Sequence, residues 1–217
     1  MTIYFLSGLG ADERAFKNLR LPAGYEMQHI PWEPVEGNET FEAYCRKLAA
    51  HIDSSKPFIL AGLSFGGMAA IEISKFLKPE KLILISTIVS RNEIPRLYRL
   101  AGRLKIERFL PAALIPVSLP FLYWFFSPVD KAGRELIASF LKQSDPIYLR
   151  WAFGHISRWQ NEDILIPHIR IHGSLDKVFP VKLVHAGHVI KGSGHLSVLT
   201  DAEEINQILK KELEAKQ

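Results

Sequence analysis

Short apolar runs alternate with helix-like segments along most of this chain, and that rhythm restricts its fold more than any other feature. Residues 3–7, 26–30, 58–63, 81–86, 169–172 and 188–191 read as buried strands. Residues 12–19, 40–53, 65–77, 181–186 and 202–214 read as helices or short helical turns. Strands that alternate with helices predict an α/β fold: a mostly parallel sheet of about six strands, covered by helices on both faces. The chain has 217 residues, enough for one domain or for a core with one insertion. Apolar residues make up 47% of it, so a sizeable core can be buried, and a charged share of 23% is ordinary for a globular protein.

The rhythm stops between residues 88 and 164. Residues 94–108 carry an amphipathic helical pattern that gathers Arg96, Arg99 and Arg103 on one side. Residues 109–126 follow and are apolar apart from Ser118. Their length would allow a membrane span, but Pro111, Pro116 and Pro120 argue against one continuous helix. The expectation is a helical cap of residues 90–160 over one end of the sheet, with residues 1–89 and 161–217 forming the core. Charge divides the same way. Residues 91–160 carry 11 Lys and Arg against 5 Asp and Glu, whereas the rest of the chain carries 16 against 18.

Gly62-Leu63-Ser64-Phe65-Gly66 fits G-x-S-x-G, with an apolar run before it and a helix-compatible run after it. A serine on a sharp strand-to-helix turn takes a strained backbone, and its neighbours two positions away must be small. Gly62, Gly66 and Gly67 give that room. Such a turn lifts the Ser64 hydroxyl clear of the backbone and sets the Phe65 N–H at a helix start, where it can face a developing oxyanion. The plainer reading is a glycine-rich turn with an incidental serine. The strand before it and the helix after it are the context that the catalytic motif requires.

A serine nucleophile needs a base, and the base needs a carboxylate to orient it. Residues 170–176 read as a strand ending in a turn that bears Asp176, and residues 189–195 as a strand ending in a glycine-rich loop that bears His195. Both would sit at the carboxyl ends of parallel strands, on the edge that carries Ser64 and where open α/β sheets bind ligands. The other histidines are weaker candidates. His172 lies within its strand, and His29, His51, His155 and His168 have no suitable neighbourhood. His185 and His188 are spaced like a metal pair but have no third ligand near them, so no metal site is expected. Asp130, Asp145 and Asp163 compete with Asp176, yet none directly follows a strand.

Ser7-Gly8-Leu9-Gly10 follows the first strand. Glu13 stands where a dinucleotide-binding loop would place its third glycine, and a carboxylate there would oppose a pyrophosphate. The loop reads better as a second oxyanion element, with the Leu9 N–H directed at the same site as that of Phe65. Asp12 can cap the helical turn after it.

At these positions the sequence resembles the α/β-hydrolase superfamily, including its lid-bearing, esterase-like members. The likeness covers the core on both sides of the insertion: Ser7-Gly8-Leu9-Gly10, residues 62–67, residues 81–86, His172-Gly173-Ser174-Leu175-Asp176 and Gly194-His195. The superfamily usually begins its first loop with histidine before glycine, and Ser7 stands in that place here. It also commonly has two strands before this loop, whereas this chain starts at the loop's own strand, so a minimal sheet is expected. The resemblance implies hydrolysis of a carboxylic ester, thioester or related acyl bond by Ser64, His195 and Asp176 through an acyl-enzyme, without metal or cofactor. Serine at the elbow argues against the similar haloalkane dehalogenases and epoxide hydrolases, which use aspartate there. Acyl transfer, carbon–carbon hydrolysis and a non-hydrolytic receptor on the same fold are the alternatives. Retention of all three triad members disfavours the receptor.

The expected partner is a small molecule with an apolar acyl part. Trp124 and Phe125, within the aromatic run 121–126, are expected to line the mouth of its pocket. The arginine-rich segment is expected to attract an anionic head group or, weakly, an anionic membrane surface; the plainer reading is a lid with solvated arginines. No basic stripe with interleaved aromatics crosses the core, so nucleic acid is not expected. The lone Cys45 cannot form an internal disulfide, and the first apolar run lacks a basic flank and a cleavage site. A reducing, cytoplasmic compartment is therefore expected.

Overall fold

The structure, a computed structural model, describes residues 1–109 and 119–214. Its strands are β1 (Thr2–Leu6), β2 (Glu26–His29), β3 (Phe58–Leu63), β4 (Lys81–Ile85), β5 (His168–Gly173) and β6 (His188–Ile190). They form one six-stranded sheet in the order β2-β1-β3-β4-β5-β6, with every neighbouring pair parallel. The predicted strands are all present, with ends displaced by a residue or so. In β1, Ile3 and Phe5 enter one apolar core while Tyr4 and Leu6 enter the other, and β3 and β4 divide their side chains in the same way. Burial on both faces is why these strands read as unbroken apolar runs instead of an alternation of apolar and polar residues.

Helices α1 (Phe41–Ala49) and α2 (Phe65–Ser74) share one core with the sheet, and the short α7 (Ser197–Thr200) and α8 (Ala202–Glu214) share the other. Thr40 starts α1 by accepting the Ala43 N–H at 3.2 Å, and the helix buries Phe41, Tyr44, Cys45 and Leu48 at helical spacing. On α8 the spacing of Ile205, Leu209 and Leu213 does the same. Helix α2 is buried from Phe65 to Ile73. Its one charge, Glu72, is held by Lys75 at 2.6 Å and by the Trp159 indole at 2.7 Å.

Strand β2 lies on one side of β1 and the chain then returns through α1 to place β3 on the other side. The strand order therefore reverses between β1 and β3, so the loops leaving their carboxyl ends diverge and open a crevice.

Between β4 and β5 the described chain is helical: α3 (Arg96–Arg103), α4 (Leu119–Phe126), α5 (Lys131–Gln143) and α6 (Pro146–Arg158). The continuous helix expected over residues 94–108 is instead split. Helix α3 ends at Arg103, Lys105 takes a positive φ of 53°, and a 3₁₀ turn spans Ile106–Phe109. That break turns Glu107 inward to meet Arg158 at 2.7 Å. Residues 110–118, with Pro111, Pro116 and Ser118, lie outside the described residues. Tyr148, Ala152 and Ile156 of α6 join the core of α1 and α2, and Phe140 of α5 joins the other. Arg170 of β5 donates to both oxygens of buried Glu93 at 3.0 and 2.8 Å, which ties the start of this segment to the sheet. Among the described residues no helix is long and apolar enough to cross a membrane.

Candidate active site

Ser64 sits at the joint of β3 and α2 with φ 53° and ψ −117°, a backbone conformation that side-chain-bearing residues seldom adopt. Its surroundings hold it there. The Ser64 N–H donates to the Ile85 carbonyl at 2.9 Å, and the Ser64 carbonyl accepts from the Thr87 hydroxyl at 2.6 Å and the Gly67 N–H at 3.0 Å. A Cβ on Gly66 would run into the carbonyl oxygens of Leu6 and Ser7, so only glycine lets the elbow press onto the end of β1. That close approach brings the first loop to the serine: a Cβ on Gly8 would lie 3.7 Å from Ser64 Cβ.

His195 places Nε2 2.9 Å from Ser64 Oγ and Nδ1 2.8 Å from Asp176 Oδ2. Asp176 follows β5 and His195 follows β6, and the two strands end in register at Gly173 and Ile190. Gly173 is itself required, because the Ser193 and Gly194 carbonyls pass where its side chain would be. The other Asp176 oxygen, Oδ1, accepts the N–H groups of Val178 and Phe179 at 2.8 and 2.9 Å. Burial opposes ionisation of this carboxyl. The charge of His195 and the hydrogen bonds from His172 and His195 outweigh it and hold Asp176 well below the usual carboxylate range. Aromatic rings frame His195: Phe126 stacks on its ring at 5.6 Å, and Phe179 meets it edge-on at 5.8 Å.

The first loop is braced from several directions. The Ser7 hydroxyl donates to the Ala11 carbonyl at 2.6 Å and lies 3.4 Å from His29 Nε2. The Trp32 indole donates to the Gly8 carbonyl at 3.2 Å, and the Ser144 hydroxyl, at the end of α5, donates to that of Gly10 at 3.0 Å. The N–H groups of Leu9 and Phe65 have no acceptor among the described residues. Asp12 caps the 3₁₀ turn at Glu13–Phe16, accepting the Arg14 N–H at 3.0 Å.

The competing acids are occupied elsewhere. Asp130 and Asp145 cap α5 and α6, and Asp163 accepts the Ile164 N–H at 2.7 Å. His188 pairs with Glu212 at 3.1 Å, and no group of potential metal ligands assembles among the described residues. Of the aromatic run, Phe126 has the ring contact with His195. Trp124 is 58% exposed, with the Lys177 ammonium 4.4 Å from its ring centroid, and Phe125 stacks on both Phe121 and Trp124, which also meet each other. Sequence reasoning set His172 aside as a strand residue, although it touches Asp176 Oδ2 at 3.2 Å, and from the aromatic run it singled out Trp124 and Phe125, not Phe126. The interval from His172 to Asp176 across a tight turn could have signalled the His172 contact. Nothing local signals that of Phe126.

No family model matches the chain, and no curated protein matches it. Solved structures match its fold. A thermophilic esterase from Thermogutta terrifontis, with malate bound, aligns over 99% of this chain and 90% of its own at 19% identity and a TM-score of 0.73. MenH from S. aureus aligns over 96% and 91% at 19% identity and a TM-score of 0.76. A hydrolase from Oleispira antarctica aligns over 96% and 89% at 13% identity and a TM-score of 0.71. At such identities the likeness is one of fold.

Proposed function

We propose that this chain, which has the α/β-hydrolase fold, is a serine hydrolase that cleaves a carboxylic ester or related acyl bond. The observation that carries this reading is the unbroken path Ser64 Oγ, His195 Nε2, His195 Nδ1, Asp176 Oδ2, with links of 2.9 and 2.8 Å. With its Nδ1 proton donated to Asp176, His195 presents a bare Nε2 to the serine hydroxyl. Ser64 attacks the acyl carbonyl as His195 takes its proton. The N–H groups of Phe65 and Leu9 receive the oxyanion. His195 then protonates the leaving alcohol or thiol, activates water against the acyl-enzyme and returns the proton to Ser64 as the acid departs. Asp176, kept ionised, stabilises the imidazolium formed in each half-reaction.

In this reading residues 1–89 and 161–217 are the catalytic core and residues 90–160 the cap. The acyl group is apolar and enters beside α4, where Trp124 and Phe125 extend the aromatic wall that Phe126 begins at His195.

The test is labelling by a fluorophosphonate together with turnover of an ester panel, using Ser64→Ala as the control. The wild type should label and turn over. Folded Ser64→Ala should do neither, with a rate loss of at least about a thousandfold. Near-normal ester cleavage by the folded variant, or labelling that survives it, would overturn the assignment.

A further inference from the structure

The α3 segment presents a surface that none of the other described residues covers. Helix α3 packs inward with Tyr98, whose ring lies 6.3 Å from that of Phe153, and with Gly102, where a Cβ would meet Ser157 Oγ at 2.6 Å. That packing turns Leu97, Leu100 and Leu104 outward on one stripe, 72%, 52% and 59% exposed. Ile106 and Phe109 continue the apolar surface, Phe109 at 79% exposure. Such a concentration of large exposed apolar side chains marks an interaction site.

Charge identifies the occupant. Arg96, Arg99 and Arg103 form a ridge beside the leucine stripe, and Lys105 and Arg108 follow. None of these five has an ion-pair partner among the described residues. Glu107, the one acid in the stretch 96–109, is buried and bonded to Arg158. An apolar stripe flanked by unpaired cations is the arrangement of a helix that lies in a bilayer interface, with leucines among the upper acyl chains and guanidinium groups at the phosphates. A second copy of this chain fits poorly, because a two-fold contact through this face would set the two arginine ridges against each other.

We infer that the α3 face docks on anionic membrane surfaces. The face adjoins in sequence α4, which exposes Phe121 and Trp124 and covers His195 with Phe126. The inference does not depend on the hydrolytic reading, since it concerns binding alone.

Co-sedimentation of the full chain with vesicles tests it, comparing pure phosphatidylcholine with phosphatidylcholine containing phosphatidylglycerol. The wild type should bind the anionic vesicles at least tenfold more tightly. Arg96→Gln, Arg99→Gln and Arg103→Gln together should weaken that binding about a hundredfold. Salt at 1 M, which shortens electrostatic reach to about 3 Å, should have a similar effect. Leu97→Ser, Leu100→Ser and Leu104→Ser together should abolish binding while the fold survives, since these side chains are exposed. Equal binding to both vesicle types, or binding to neither at low salt, would overturn the inference. So would sedimentation equilibrium showing a dimer that the serine variant dissociates while vesicle binding is unchanged.

Discussion

His172 Nε2 lies 3.2 Å from Asp176 Oδ2, the same oxygen that faces His195. Its Nε2 is also 2.7 Å from the Phe179 carbonyl. A ring nitrogen between two acceptors must carry its proton, so His172 is a donor that steadies the carboxylate from beneath. It has no hydrogen bond to Ser64, and in the proposed mechanism it is a positioning residue. Replacing it by phenylalanine removes a hydrogen bond to a charged group, a loss of about 1.5–3 kcal/mol. Expressed in the transition state, that lowers kcat by one to two powers of ten, roughly, with KM little changed. His172→Gln, which keeps an N–H donor, should restore part of the rate.

Acid titration separates positioning from packing. The Asp176 carboxyl is held below its ordinary value of 3.8 in the native state. As pH falls below about 4 the unfolded chain takes up the proton first, so this group's stabilisation is present at neutral pH and is lost with acidification. In His172→Phe the native carboxyl moves back toward its ordinary value. The variant should then lose less stability than wild type between about pH 5 and pH 2. Tm measured across that range checks this. A purely steric defect would lower Tm by the same amount at every pH.

The legible parts of this molecule are those whose cause is local. Strands buried on both faces announce themselves as apolar runs, and the elbow is visible because the steric demand on Gly62 and Gly66 falls within five residues of sequence. Asp176 and His195 were singled out because each follows a strand in a sheet whose direction was already implied, and the fold brings the two side chains to 2.8 Å. Contacts made across the fold left no such trace. Nothing near Phe126 states that it stacks on His195, and nothing near Ser144 states that its hydroxyl holds the Gly10 carbonyl. His172 was in plain view but was read only as a strand residue. With Ile169 and Ile171 facing one core, the pleat turns His172 to the other side, where the Asp176 turn folds over it.

The elbow geometry can be tested by the contrast between two glycines. A side chain on Gly66 would displace backbone at Leu6 and Ser7, which cannot yield without moving β1. Gly192 has φ +82° but nothing within 4 Å of a Cβ. Gly66→Val should give little soluble protein and no measurable ester turnover. Gly192→Ala should cost about 1 kcal/mol of stability from its backbone angle and retain most activity. Equal soluble yields and equal rates for the two variants would contradict the close approach of elbow and strand.

The stack of Phe126 on His195 makes a prediction that distinguishes holding the base from holding the substrate. The ring planes are 17° apart, so Phe126 limits how far the imidazole can tilt away from Ser64. An aromatic contact of this kind is worth about 0.5–1.5 kcal/mol beyond its buried area. Phe126→Ala should therefore lower kcat by up to about tenfold even for an acetate ester, whose acyl group is too short to reach far along the cap. Phe126→Leu, which fills much of the volume, should recover part of that loss. Phe125→Ala should instead leave acetate turnover close to wild type and raise KM for longer acyl chains, by up to about 0.8 kcal/mol for each methylene that loses its contact. Trp124→Ala, at a largely exposed ring that the Lys177 ammonium touches, should show the smallest effect of the three alanine variants. Steady-state kinetics of all four variants on acetate, butyrate and octanoate esters reads both quantities at once. Wild-type kcat on acetate in Phe126→Ala would mean that the stack does not hold the base. A chain-length effect in that variant alone would move the acyl wall from Phe125 to Phe126.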